Sequence, residues 1–407
     1  MGDEMKKLRA FKFQLKANSL QQTKMARFSG CRRFVYNKAL GIQKERLGRS
    51  ERAANYAGLC RSLTEWRHAE ETAFLAEAPT HPLQQGLKDL EKAFTNFFAG
   101  RAKFPRFKKK GRGDSFRYPD PKQIKIDERN SRIFLPKLGW VRYRKSREIA
   151  GNIKQVTVSQ SGDAWFVSIQ TEQEVVGQVH STGSAVGIDL RVTKFATLSD
   201  GTTYTSKVEH RKYERKIARE QRRLALKQKF SENWCKQVKK IQRLYGCARN
   251  SRLDFQHKTS TSICKNHATV IVEELNVKGM SASALGTLEN PGNNVRAKSG
   301  LNRSILNQGW SEFRRQLQYK LEDAAGLLVC VPAKYTSVKC SKCGFTCKEN
   351  RRSQANFSCL ECSHAENADL NAARNILAAG LAVIACGETP LGISLKQEPT
   401  VSARALA

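Results

Sequence analysis

The sequence predicts a multidomain protein of mixed class, an α+β part followed by an α/β part. Strand-like runs at residues 8–15 and 132–172 flank a helical stretch, as in a small β-barrel interrupted by a helical insertion. From Val186 the order runs strand, strand, helices, strand, helix, strand, cysteine-rich insert, helix, which is an α/β domain with a mixed sheet. The insert carries two Cys-x-x-Cys pairs, the spacing of a metal-ordered knuckle.

The bulk numbers bound what such a chain can do. Its 407 residues allow roughly two to four domains. The net charge is +35, an excess that repels itself unless a polyanion is present, and nucleic acid is the obvious one. A membrane surface ranks below it, because no apolar run of transmembrane length and no lipidation motif stands out. The start, MGDEMKKLRAFKFQL, lacks the apolar core of a signal peptide, so the expected location is cytoplasmic. In a reducing compartment the twelve cysteines are expected as thiols or metal ligands.

In chain order, Phe11, Phe13 and Leu15 alternate as in a strand. From Ser19 the pattern turns helical, with Phe28, Cys31, Phe34, Val35 and Leu40 on one face. Further helices run to Gly100, the last with Leu83, Leu87, Leu90, Phe94 and Phe97 at helical spacing. The segment from Arg101 to Pro121 interleaves cations with Phe104, Phe107, Phe116 and Tyr118, which suits phosphate contacts with base stacking. Arg106, Lys108, Lys109, Lys110 and Arg117 are its candidate nucleic-acid residues. RIFLPKLGWVRYR and KQVTVSQSGDAWFVSIQTE read as strands, with a hairpin at Gly162-Asp163. Residues 173–184 read as a linker. Strands are expected at Val186–Leu190 and Phe195–Leu198, then a basic helical region over 205–258 that breaks near Phe230–Asn233. ATVIVEELNVKGM is another strand ending in acids, and 282–300 reads as a mobile loop. LNRSILNQGWSEFRRQLQYKLEDAAG reads as one helix with Leu306, Trp310, Phe313, Leu317 and Leu321 on one face, and GLLVCVP as a strand.

Two constellations carry chemistry. Cys340, Cys343, Cys359 and Cys362 can close a tetrahedral thiolate shell with no open position, so the expected metal is structural zinc. Cys347 and His364 are near enough to substitute as ligands, and an iron–sulfur site is the alternative cluster. The second constellation is acidic. Asp189 ends an apolar strand, Glu273 and Glu274 end another, and Asp369 opens the final helix. Singly, each has a dull explanation, such as a helix cap for Asp369. Jointly, acids flanked by buried strands are costly unless paired or metal-bound, and three carboxylates suit Mg²⁺ and two-metal phosphodiester hydrolysis. Glu273 and Glu274 face opposite sides of a strand, and the residues alone leave that choice open.

GIDLRVTKFATLSDG, IVEELNVKGM and ADLNAARNI resemble the three RuvC motifs of the transposon-encoded TnpB (OrfB) family, and KYTSVKCSKCG resembles its zinc-ribbon entry. FSGCRRFVYNKAL, PRFKKKGRGDSFRYP, NRSILNQGWSEFRRQLQYK, VIACGE and LKQEPT extend the likeness over almost the whole chain. The resemblance implies an RNA-guided, Mg²⁺-dependent DNA endonuclease related to the compact type V CRISPR effectors. Its implied partners are a guide RNA from the transposon end and double-stranded target DNA beside a short motif, with no membrane. Its implied fold is a β-barrel wedge domain (1–17 and 116–180) with a helical recognition insertion (18–115), then an RNase H-like RuvC domain (181–333 and 365–387) with an inserted zinc ribbon (334–364) and a C-terminal tail (388–407). By motif position the metal-binding triad is Asp189, Glu273 and Asp369. Tyr56, Gln84 and Gln85 lie in the helical region implied to face the target-adjacent duplex, as candidates for reading the motif. Two residues depart from the family pattern. Arg191 stands where Gly commonly follows GIDL, and Ser363 replaces the Gly after the second knuckle. The competing expectation is a guided DNA-binding repressor, although such relatives lose triad acids. An accessory transposase is the third, and no element for strand transfer is identifiable.

Overall fold

A computed structural model of the chain describes residues 5–175, 180–205, 209–287, 289–332 and 334–386. The tail expected over 388–407 lies outside them. The chain divides into two compact units, Met1–Val176 with Lys227–Gly246, and Gly177–Leu226 with Cys247–Ala407.

The first unit is a sheet with a helical insertion. Its elements are β1 (Met5–Lys16), α1 (Ser19–Gly48), α2 (Tyr56–His68), α3 (Thr80–Phe98), β2 (Ser115–Tyr118), β3 (Lys125–Asp127), β4 (Arg132–Leu135), β5 (Gly139–Tyr143), β6 (Asn152–Ser161) and β7 (Ala164–Val175). The seven strands lie in the order β2-β6-β7-β1-β5-β4-β3. β1 pairs antiparallel with β7 and then, from Leu15, with β5, so this long strand joins the two halves. α1 starts on a capping box, Asn18 accepting from the Gln21 amide while the Gln21 side chain bonds back. The expected hairpin turns at Gly162, which has a φ of +64°. Helices and sheet share one core, in which Phe28 meets Phe116 edge to face at 5.7 Å.

That core corrects the reading of 101–121. Phe116 and Tyr118 lie on β2 and are fully buried. Phe104 packs edge-on against Phe94 and Phe97. Of the four aromatics only Phe107 is open, at 48% exposure, and the Lys44 ammonium lies 5.0 Å from its ring centre. Burial of apolar area outweighs any stacking role here, because β2 needs its inward face filled.

The second unit contains β8 (Ala185–Asp189), β9 (Ala196–Leu198), β10 (Thr203–Tyr204), α4 (Glu209–Ala225), α5 (Glu232–Asn266, its first part belonging to the other unit), β11 (Thr269–Glu273), α6 (Val277–Met280), α7 (Val295–Gln308), α8 (Trp310–Asp323), β12 (Leu327–Val331), β13 (Asn356–Ser358), β14 (Ala365–Asn367) and α9 (Ala368–Ala385). Its sheet runs β10-β9-β8-β11-β12, with β8, β11 and β12 parallel and β9 and β10 antiparallel. Strand alternation divides the core. Val270 and Val272 face the α8 side with Phe313 and Leu317, while Ile271 and Val329 face Ile376 of α9. α9 presses directly on the sheet through two glycines. A Cβ on Gly187 would come within 2.2 Å of the Ala373 carbonyl, and one on Gly380 within 2.4 Å of Ile271.

Three further expectations change. The helix expected from Leu301 onward is two helices, because Gly309 sits at φ +67° and the Gln256 amide takes up the Gln308 and Gly309 carbonyls. The break rotates the face, so Ile305 is buried and Leu306 is 55% exposed. The loop expected over 282–300 gives way to α7 at Val295. Finally, α9 is long and apolar enough by composition to cross a membrane, contrary to the absence of such a run expected above. Its packing on four strands of the sheet and its buried Asp369, Asn371 and Asn375 are those of a core helix.

Candidate metal centres

The parallel pairing of β8 and β11 aligns Ile188 with Val272, which brings Asp189 and Glu273 to the same sheet edge, one residue on. That is the carboxyl end of the parallel strands, where open α/β sheets place their ligands. Asp369 is the second residue of α9. It does not cap the helix: Asn367 does, accepting from the Asp369 amide at 3.0 Å. All three acids are buried, whereas Glu274 is exposed.

A cation from the chain bridges two of the three acids. The Arg191 guanidinium lies 2.5 Å from Asp189 through Nε and 2.6 Å from Asp369 through Nη1. Lys194 approaches Asp369 at 3.9 Å. Glu273 instead accepts from the Thr336 hydroxyl at 2.5 Å. Burial pushes the Asp189 carboxyl up, Arg191 opposes the rise, and the charge of Asp369 adds to it. Burial likewise pushes Glu273 up to about 7, against the Thr336 hydrogen bond, and the Asp189 charge adds to the rise. Burial and the like charge of Arg191 lower Arg351, while Asp369 and Asp189 hold it up, so this residue of the cysteine insert faces the same acids. Carboxylates are the donors a hard cation takes, and here the Arg191 guanidinium is the cation that two of them share.

Sequence reasoning flagged Arg191 but missed Thr336, Arg351 and Lys194. Thr336 lies 63 residues from its partner, and no local pattern signals such a contact.

The four cysteine sulfurs lie within 4.8 Å of one another. Cys340 and Cys362 are 3.7 Å apart, and Cys343 and Cys359 are 3.6 Å apart. Tetrahedral ligation at a metal–sulfur distance of about 2.3 Å needs edges of about 3.8 Å, so the cluster can hold a metal ion. Cys347 bonds Glu349 at 2.5 Å and His364 lies 3.1 Å from Glu366, both outside the four-sulfur set. The two knuckles repeat one geometry. The Cys340 and Cys359 amides donate to the Phe345 and His364 carbonyls, and the Gly344 and Ser363 amides donate back to Cys340 and Cys359. Both turn residues are left-handed, Gly344 at φ +81° and Ser363 at φ +56°.

The candidate nucleic-acid residues are dispersed over the first unit. Arg106, Lys109 and Lys110 are exposed. Lys108 is half-buried, its ammonium 4.1 Å from the Tyr36 ring centre, and burial lowers it to about 8. Arg117 is ion-paired to Asp89 at 2.9 Å. Tyr56 and Gln84 are half-buried, and Gln85 is buried on the inner face of α3.

Comparison with known proteins places these features in a lineage. A family profile described as "Probable transposase" matches residues 168–284, one described as "Cas12f1-like, TNB domain" matches 310–376, and one described as "Helix-turn-helix domain" matches 5–52. The last span is one strand and one helix in this chain. "Putative RNA-guided DNA endonuclease InsQ" of Escherichia coli K12 is 54% identical over 404 residues, covering 99% of this chain and all of that one. A "Putative RNA-guided DNA endonuclease" of Streptomyces pristinaespiralis is 34% identical, covering 97% of this chain and 94% of its own. Among solved structures, a Cas12f1–sgRNA–target DNA complex matches with a TM-score of 0.54 at 14% identity, over 88% of this chain and 83% of that one, a likeness of fold.

Proposed function

The chain belongs to the TnpB (OrfB) family, and from that premise we propose that it is a transposon's RNA-guided DNA endonuclease, cleaving target DNA beside a short target-adjacent motif. The observation that carries the reading is the convergence of buried Asp189 and Asp369 on one cation, with Glu273 at the same sheet edge. These three carboxylates would hold Mg²⁺. When bound, Mg²⁺ supplies activation of the attacking water and stabilisation of the leaving oxygen. The four cysteines would hold a structural Zn²⁺ that orders residues 334–364. Asp189, Glu273 and Asp369 come from the rigid sheet edge and the head of α9, which keeps the acids pre-positioned for the phosphodiester.

The guide RNA and the double-stranded target are the polyanions that answer the +35 charge. Base pairing reads the target, and the protein reads duplex shape and the adjacent motif. Arg106, Lys109 and Lys110 are the exposed phosphate contacts of this scheme, with Lys108 and Arg117 beside them, and Tyr56, Gln84 and Gln85 its motif-reading candidates. On this reading the wedge domain would be residues 1–17 and 116–180 around the recognition insertion 18–115, and the RuvC-like domain 181–333 with 365–387 around the ribbon 334–364. Work on a transposon's DNA places the protein in the bacterial cytoplasm.

One observation favours the second reading, a guided repressor that does not cut: Arg191 occupies the space between two of the acids. Plasmid cleavage with Mg²⁺ and the co-purifying RNA separates the two. Asp189→Ala, Glu273→Ala or Asp369→Ala is expected to abolish cutting while RNA and target binding persist. Cutting retained by any of the three refutes the assignment.

A further inference from the structure

We propose that Thr336 is a positioning residue for Glu273, and that it transmits the order of the cysteine ribbon to the carboxylate cluster. The inference rests on the reading of Glu273 as a metal ligand. Thr336 belongs to the chain that enters the ribbon, and its side chain leaves that segment to donate to Glu273 Oε1 at 2.5 Å. Both residues are buried. The carboxylate is therefore steered through one oxygen, and a cation would take the other.

What steers Thr336 is α9. Asn375 donates through Nδ2 to the Thr336 carbonyl at 2.9 Å and to the Lys339 carbonyl at 2.7 Å. One turn earlier on the same face, Asn371 donates to the Lys339 carbonyl at 2.8 Å. Asn371 Oδ1 then accepts from the Ser341 amide at 2.9 Å, and Ser341 Oγ donates to Glu366 at 2.8 Å. Ser341 directly follows Cys340. An unbroken series of bonds thus runs from the first knuckle through Asn371, Asn375 and Thr336 to Glu273. Asn371 is wholly buried, so its amide is committed to these partners and not to water.

The ribbon cannot hold this register by its own apolar core. Its own buried residues in the cluster are Cys340, Phe357 and Cys359, two of them candidate ligand cysteines, and Ala368 of α9 completes it. Metal in the knuckles fixes residues 339–341. The two asparagines transfer that fixed position to residue 336, and the hydroxyl transfers it to the carboxylate. Outer partners of metal-binding carboxylates act in this way on affinity. A hydroxyl that merely satisfied a buried oxygen would have no reason to depend on the knuckle.

The test is Mn²⁺ affinity, read by electron paramagnetic resonance on the full-length protein with its RNA, with Glu273→Gln as the blank for RNA-bound ions. Thr336→Val is expected to weaken Mn²⁺ binding about tenfold, with zinc content and melting temperature unchanged. Thr336→Ser, which restores the hydroxyl, should return to within about twofold of the parent. Asn375→Ala should weaken Mn²⁺ in the same direction with Thr336 intact. If Thr336→Val alters zinc content or folding, the smaller Thr336→Ala replaces it in the same comparison. Parent-like Mn²⁺ affinity in the hydroxyl-less variants, while Glu273→Gln loses it, overturns the positioning role and leaves the metal centre standing. Parent-like affinity in Glu273→Gln overturns the underlying reading itself.

Discussion

The four thiols face one another directly, whereas two of the three carboxylates meet through a guanidinium. The difference follows from charge. The sulfurs gather in two direct pairs, at 3.6 and 3.7 Å. Carboxylates repel, and burial multiplies the repulsion. The chain therefore places its own cation, Arg191, between two of them. On the proposed reading, one cluster would gain its metal as part of folding, and the other would exchange an internal cation for an external one.

The contrast is tested most strongly by removing one ligand from each cluster. Cys359→Ser should release the ribbon metal and cost the second unit on the order of 5 kcal/mol, a fall of about 10 °C in its melting transition. Glu273→Gln should shift that transition by no more than about 2 °C. Glutamine reproduces the shape of a carboxyl that is already pushed up to about 7 and so is partly protonated at neutral pH. Calorimetry on both variants decides the matter. Equal losses would mean that the two clusters do the same structural work.

The second test removes the internal cation. Arg191 is mostly buried, and Arg191→Gly leaves Asp189 and Asp369 facing each other without it. Loss of one side of a buried ion pair costs about 3 kcal/mol or more, so the metal-free variant should melt several degrees lower. The same change should tighten Mn²⁺ about tenfold, since the ion no longer displaces a tethered rival. A variant that is destabilised without tighter Mn²⁺ would show that Arg191 and the metal do not compete.

Acidity gives a third and milder test. Glu273 rises from its ordinary 4.5 to about 7, chiefly by burial. Between those values the folded protein keeps a proton that the unfolded chain has released. The stability from this group is thus full below about 4.5 and is lost as pH climbs through about 7. A cation needs the ionised form, so Mn²⁺ affinity should strengthen by up to about tenfold from pH 6 to 7 and level off above. A flat profile over that range would show that Glu273 is not protonated at neutral pH.

The sequence made the clusters legible because each ligand ends a local pattern. Asp189 and Glu273 close apolar strands, and the cysteines carry their spacing with them. What it hid was non-local or stereochemical. Arg191 was visible as an unusual residue, but its placement between two acids from different elements was not. Thr336 signals nothing without the fold that carries it to Glu273. Gly309 sits inside an unbroken helical periodicity, and its left-handed φ has no signature beyond the residue type. Phe116 and Tyr118 alternate as a strand should, yet the surrounding cations drew them into a surface reading.

The two knuckles offer the finest version of the comparison, because they repeat one backbone geometry and carry different residues, Gly344 and Ser363, at its left-handed position. Gly344 adopts φ +81° at no steric cost, while Ser363 adopts φ +56° with a Cβ that crowds the following carbonyl. Both amides make the same bond, Gly344 to Cys340 at 3.0 Å and Ser363 to Cys359 at 3.1 Å, so the backbone work is equal. Ser363→Gly should therefore relieve about 1 kcal/mol of strain, offset by a few tenths from the freer unfolded chain. Gly344→Ser, the mirror change, should cost a similar amount. Zinc retention against a chelator reads both, with Ser363→Gly holding the ion longer than the parent and Gly344→Ser releasing it sooner. If the two substitutions shift retention in the same direction, the left-handed turn is not what sets the strength of either knuckle.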